Sequence, residues 1–200
     1  MALEDKKVAV LIANDYEDLE AWYPILRLKE VGVEVTIVAS DNVEGESCTS
    51  KHGYSIDIDY KAREVDPSDY DGVIIPGGWA PDTLRRCDNT LNLIQELMED
   101  NKLVAAICHG GWVLASAEVV EDKTVTSTPA IKDDLKHAGA SWVDEEVVVD
   151  QNLITSRNPG DLPAFSRAIL SLLGDKVCIK CGTEYDSEEE GESWYYCSSC

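Results

Sequence analysis

The sequence lacks any apolar run near the ~18 residues of a bilayer-spanning helix, which excludes a transmembrane segment of that kind. Positive charge is scarce: 17 Lys and Arg stand against 39 Asp and Glu, for a formal net charge of −22. Such a surface repels phosphate backbones and anionic lipid, so neither nucleic acid nor a membrane is expected as a partner. The charge is read as serving solubility. The opening stretch "MALEDKKVAVLIAND" has no long apolar h-region and no small-residue cleavage pattern, so no signal peptide is read and a cytoplasmic location is expected. The seven cysteines are an odd set for a disulfide framework, and in a reducing compartment they point to metal or catalysis first. No internal repeat is present.

What is present is alternation. Residues 7–13, 34–39, 71–75 and 103–107 read as buried strands. Residues 17–31, 89–101, 111–117, 131–138 and 161–173 read as helices, the first kinked at Pro24 and stopped at Gly32, the last capped by Asp161. Residues 47–59 read as a hairpin turning at Gly53, and 147–149 with 153–155 as two short strands about a turn. Strand and helix in turn predict a doubly wound α/β sandwich with a mainly parallel sheet, in which ligands sit beyond the carboxyl ends of the strands. Composition changes after Gly174, so the chain divides into an α/β domain at 1–174 and a tail at 175–200.

Two strand ends carry chemistry. The segment "LVAAICHGGW" passes from a strand through a thiol, an imidazole and two glycines into a helix. A tight strand-to-helix turn lifts a nucleophile clear of its backbone, and Cys108 holds that place. Gly110 and Gly111 permit the turn, and the N-terminus of the following helix favours thiolate. His109 adjoins it. The other end, "IIPGG", offers the N–H of Gly78, which with the N–H of His109 can form an oxyanion hole. Glu17, at the end of the first strand, lies on the same edge of the sheet: a carboxyl held near the thiol has a raised pKa and shares its proton, while a helix-start glutamate in water is the reading that the single sequence favours.

The segments "NDYEDLEAWYPILRLKEVG", "SKHGYSIDID", "DGVIIPGGWAPDTLR", "AAICHGGWVLASA" and "IKDDLKHAGASWVDEEVVVDQNLITSRNPGDLPAF" resemble the PfpI-type intracellular peptidases of the ThiJ/PfpI superfamily, over residues 8–173. The resemblance implies a flavodoxin-like sandwich, Cys108 as the elbow cysteine, Glu17 touching it, and His109 as the imidazole of a catalytic set. It also implies a third member contributed across a subunit interface, hence a homo-oligomer, a dimer or a ring of dimers. That position here is Asp82, where the family pattern commonly has glutamate. Gly111 replaces the family's usual proline. The glutamine amidotransferases of the superfamily need a downstream His-x-Glu pair. The only later histidine, His137, has no such glutamate, so that branch is set aside.

The tail "CIKCGTEYDSEEEGESWYYCSSC" holds two C-x2-C pairs 15 residues apart. Four thiolates at this spacing, Cys178, Cys181, Cys197 and Cys200, match a zinc ribbon, with a closed and therefore structural site. Iron is the less favoured metal, and a redox dithiol pair the non-metal alternative. No cofactor is expected in catalysis. The activity expected first is a cysteine hydrolase, peptidase-like, acting on peptides or small amides through Cys108, His109 and Asp82. The alternative is a cofactor-independent glyoxalase or deglycase, in which Cys108 adds to a 2-oxoaldehyde and Glu17 moves the proton between carbons. A non-enzymatic redox sensor or chaperone is the third reading.

Overall fold

A computed structural model describes residues 3–174. The cysteine-rich tail, with Cys178, Cys181, Cys197 and Cys200, lies outside the described residues. In chain order the elements are β1 Lys7–Ile12, α1 Asp18–Glu30, β2 Glu34–Ala39, β3 Ser47–Thr49, β4 Ser55–Asp57, β5 Tyr60–Lys61, β6 Gly72–Ile75, α2 Ala80–Leu84, α3 Asp88–Glu99, β7 Leu103–Ile107, α4 Gly111–Ser116, β8 Thr124–Val125, α5 Lys132–His137, β9 Ser141–Trp142, β10 Val147–Asp150, β11 Leu153–Ser156 and α6 Leu162–Leu173. Short 3-10 turns join several of them.

Seven strands form one sheet in the order β10-β11-β7-β6-β1-β2-β5. Every pair is parallel except β10 with β11. The flavodoxin-like expectation is therefore met. The central strands are apolar throughout because helices cover both faces, and β1, β6 and β7 are buried along almost their whole length. From β1 the chain first steps to β2 and then returns to β6 on the other side. That reversal opens a crevice beyond the carboxyl ends of β1, β6 and β7.

Some local details differ from expectation. α1 contains Pro24, and Glu17 precedes the helix as its N-cap, its side chain accepting from the Glu20 N–H. Asp161 occupies the N-cap place of α6 without capping it, because its carboxylate binds Arg157 at 2.8 and 3.1 Å. β3 and β4 form the expected hairpin as a separate two-stranded sheet. Among the described residues no helix is long and apolar enough to cross a membrane.

Candidate active site

Cys108 stands at the end of β7 with φ 59°, in the left-handed region that a side-chain-bearing residue enters at a cost of about 1–3 kcal/mol. The backbone is extended at Ile107 and helical at Gly111, so the whole reversal falls on Cys108. Close packing holds it there. A Cβ on Gly110 would sit 2.5 Å from the Ile75 carbonyl oxygen, and one on Gly77 would sit 2.8 Å from Cys108 Cβ and overlap a Glu20 carboxylate oxygen. Gly78, with φ +76°, bridges to Tyr16. A Cβ there would lie 2.5 Å from both Asp15 O and Glu17 N. The glycines thus let the end of β6 press directly against the thiol.

The carboxyl at the thiol is Glu20, three residues beyond the expected Glu17. Glu20 is fully buried on the inner face of α1. Its Oε2 accepts the Gly77 N–H at 2.8 Å, and the carboxyl lies against the Cys108 thiol. Oε1 has no well-formed hydrogen bond among the described residues. Glu17 faces the helix instead, its Oε2 accepting the Glu20 N–H at 2.9 Å. The correction has a physical reason: the residue that opens the helix is spent on capping, and only a residue inside α1 can turn a side chain under the sheet. A signal for Glu20 exists in the sequence, since it shares the apolar face of Ala21, Pro24, Ile25 and Leu28.

Burial, aided by the charge of Glu17, pushes the Glu20 carboxyl up to about 7. Burial and the adjacent Glu20 charge push the Cys108 thiol up to about 12, while the N–H groups of His109 and Gly78 oppose this. These two N–H groups, read from the sequence as an oxyanion hole, face the sulfur itself. Both Glu20 effects on the thiol depend on an ionised carboxylate. A protonated Glu20 donates to sulfur and favours thiolate. The two groups are therefore coupled, and their protons come off in two steps that belong to the pair. α4 has only six residues, so its dipole adds little.

His109 Nδ1 lies 3.4 Å from Cys108 Sγ. Its ring sits between Trp79 and Trp112, at centroid separations of 5.6 and 5.1 Å. Burial, with a smaller contribution from the Lys51 charge, lowers its pKa, which keeps the imidazole neutral at pH 7. Within this chain no acid among the described residues orients it. Asp82 is exposed on α2 and binds Arg86 Nη2 at 2.7 Å. Cys48 and Cys87 are buried, and burial pushes the Cys48 thiol up to about 11. His52 pairs with Asp18 at 2.6 Å, and His137 ends α5.

A family model described as the DJ-1/PfpI family matches residues 6–172. The chain is 44% identical over 167 residues to "Deglycase TK1284" of Thermococcus kodakarensis, covering 84% of this chain and 99% of that protein. It is 43% identical over 168 residues to "Putative cysteine protease YraA" of Bacillus subtilis, covering 84% and 98%. Among solved structures, a two-domain protein of Anabaena variabilis with DJ-1/ThiJ/PfpI-like and ferritin-like domains superposes with a TM-score of 0.83 at 44% identity. That match covers 94% of this chain and 55% of the other, so this chain spans about half of the two-domain protein.

Proposed function

We propose that this chain, which belongs to the DJ-1/PfpI family, is a cofactor-independent deglycase or glyoxalase acting on 2-oxoaldehydes or their adducts through Cys108 and Glu20. The observation that carries the reading is the buried carboxyl held against the thiol, with a pKa of about 7. A carboxyl that both accepts and returns a proton near neutral pH suits transfer between adjacent carbons. The peptidase reading also needs an acid behind His109, which this chain's own Asp82, paired with Arg86, does not supply and a neighbouring copy would have to. The deglycase name of one relative favours the same choice.

In this mechanism Glu20 takes the thiol proton as the sulfur bonds to the aldehyde carbon. The proton passes to the former carbonyl oxygen, giving a hemithioacetal. With an amine adduct, the carbon–nitrogen bond breaks as the sulfur–carbon bond forms, and the amine leaves with the proton. Glu20 then removes the proton on the sulfur-bearing carbon and returns one to the neighbouring ketone carbon, while the hydroxyl proton of the first carbon passes to the ketone oxygen. The first carbon rises to the thioester level and the second becomes a carbinol, with no outside oxidant. Water cleaves the thioester to a 2-hydroxy acid and regenerates the thiol. The Gly78 and His109 N–H groups stabilise the negative charge as it forms.

An acid for His109 is proposed to come from Asp82 of a neighbouring copy in a homo-oligomer. The tail cysteines Cys178, Cys181, Cys197 and Cys200 are proposed to bind one structural zinc, on the strength of their doubled spacing. The test of the main proposal compares methylglyoxal with a fluorogenic peptide, using purified protein in D2O. Lactate formed without added cofactor, carrying solvent deuterium at C2 and lost in Cys108→Ser, is the expected result. Peptide cleavage with no lactate refutes it.

A further inference from the structure

Lys51 lies beside the strand ends that carry Cys108, and among the described residues no hydrogen bond or ion pair engages its ammonium. Residues 14–17 leave β1 as the middle ply of a three-ply backbone mat. On one side Glu17 N donates to Gly77 O at 3.2 Å and Trp79 N to Asp15 O at 2.9 Å. On the other, Asp15 N donates to Thr49 O at 2.8 Å and Lys51 N to Tyr16 O at 3.0 Å. Tyr16 bridges Gly78, whose N–H faces the Cys108 sulfur. Lys51 thus lies two strand spacings from Gly78, about 10 Å, and its four-carbon stem is long and flexible enough to reach across much of that span.

The turn that carries Lys51 is braced. Ser50 Oγ donates to Asp18 Oδ1 at 2.5 Å and His52 Nδ1 lies 2.6 Å from Asp18 Oδ2, so the residues on either side of Lys51 are tied to the start of α1. Ser50 Oγ also accepts the Tyr54 N–H at 2.9 Å. The same bonds occupy the nearby acids: Asp18 serves the turn and Glu17 caps α1. Among the described residues the Lys51 ammonium therefore has no carboxylate within ion-pairing distance, in a chain of net charge −22. Its field reaches both Glu20 and His109, the groups flanking the sulfur.

We propose that Lys51 is a specificity-determining residue, selecting substrates that carry a free carboxylate close to the carbonyl that Cys108 attacks. The class is low-mass dicarbonyl adducts of free amino acids and small thiol acids, which the acidic remainder of the surface repels and this cation draws in. The assignment rests on the dicarbonyl reading of the site. A single positive charge about 6 Å away at an effective dielectric of about 40 gives about tenfold preference for the anion over its neutral isostere.

Alkylation tests this without requiring turnover. Iodoacetate and iodoacetamide both transfer their CH2 group to the Cys108 sulfur with loss of iodide, and differ in one negative charge. The ratio of their rates at Cys108, read by peptide mass mapping, should fall about fivefold to tenfold in Lys51→Gln and further in Lys51→Glu. In wild type it should shrink in high salt. An unchanged ratio in Lys51→Gln overturns the proposal. A second arm compares breakdown of the methylglyoxal hemithioacetals of N-acetylcysteine and of its neutral amide. Preference for the acid, lost in Lys51→Gln, supports the proposal. If neither is consumed while the alkylation ratio falls, Lys51 acts as proposed and the dicarbonyl reading fails. If both are consumed alike and the ratio stays fixed, the dicarbonyl reading stands and Lys51 does not select.

Discussion

Glu20→Gln should make the protein more stable and nearly inactive. Burial raises the Glu20 carboxyl from 4.5 to about 7, so the folded state holds a proton that the unfolded chain releases more easily. Below about pH 4.5 both states are protonated and the group contributes nothing. As pH rises from there to about 7, unfolding releases the proton and native stability falls. Above 7 the loss is complete. A tenfold change in proton affinity is worth about 1.4 kcal/mol, so the penalty reaches about 3 kcal/mol at pH 8 and stays under about 1 kcal/mol at pH 5. Glutamine escapes it: its oxygen can keep the Gly77 N–H bond and its amide N–H can point at the sulfur. Urea unfolding of both proteins at pH 5 and pH 8 should therefore show the variant ahead by about 3 kcal/mol at pH 8 and by little at pH 5. In thermal melts at pH 8 this is roughly 6–12 °C for a domain of this size. Turnover should drop at least about 100-fold with loss of the proton carrier. A stability difference that is the same at both pH values, or a variant weaker at pH 8, refutes the account of Glu20 as a raised buried acid.

Two further outcomes are expected. Gly77→Ala places a methyl against the Glu20 carboxyl, 2.8 Å from Cys108 Cβ and 3.0 Å from the His109 nitrogen. It should cost about 1–3 kcal/mol in a denaturant melt and on the order of 100-fold in turnover, and a fully active variant would dissolve the claim of close packing at the sulfur. The tail should bind one zinc per chain, measured by elemental analysis of protein purified under reducing conditions. Chelation should leave the Cys108 reaction largely intact, since four sulfurs leave no open position, and loss of all turnover on chelation would overturn the structural assignment.

The sheet was legible because its strands are uniform. Segments such as "KVAVLIA" and "LVAAI" are apolar from end to end, a pattern that belongs to strands covered on both faces. The two-residue strands β5, β8 and β9 were not legible, because two residues carry no period. The short helix α2 was hidden by "PGGWAP", whose prolines and glycines read as a turn. Asp161 reads as a cap from sequence because a sequence window does not show that Arg157, four residues earlier, competes for the same carboxylate.

Cys108, His109 and Gly78 were legible as a group because each sits at a strand end, and in a parallel sheet all strand ends meet along one edge. The carboxyl was placed one helical turn too early for the converse reason. An edge argument locates the loop after β1 but not the face of α1 that rolls beneath it. Glu17, first in line, meets an unpaired N–H and caps the helix. Glu20 is carried inward by the stripe of Ala21, Pro24, Ile25 and Leu28. A glutamate on an apolar helix face is costly unless something uses its proton or charge, and here Gly77 and Cys108 do both. The apolar stripe and the acid within it are thus one feature: the packing that buries α1 is also what lifts the Glu20 pKa to the pH at which it can serve the thiol.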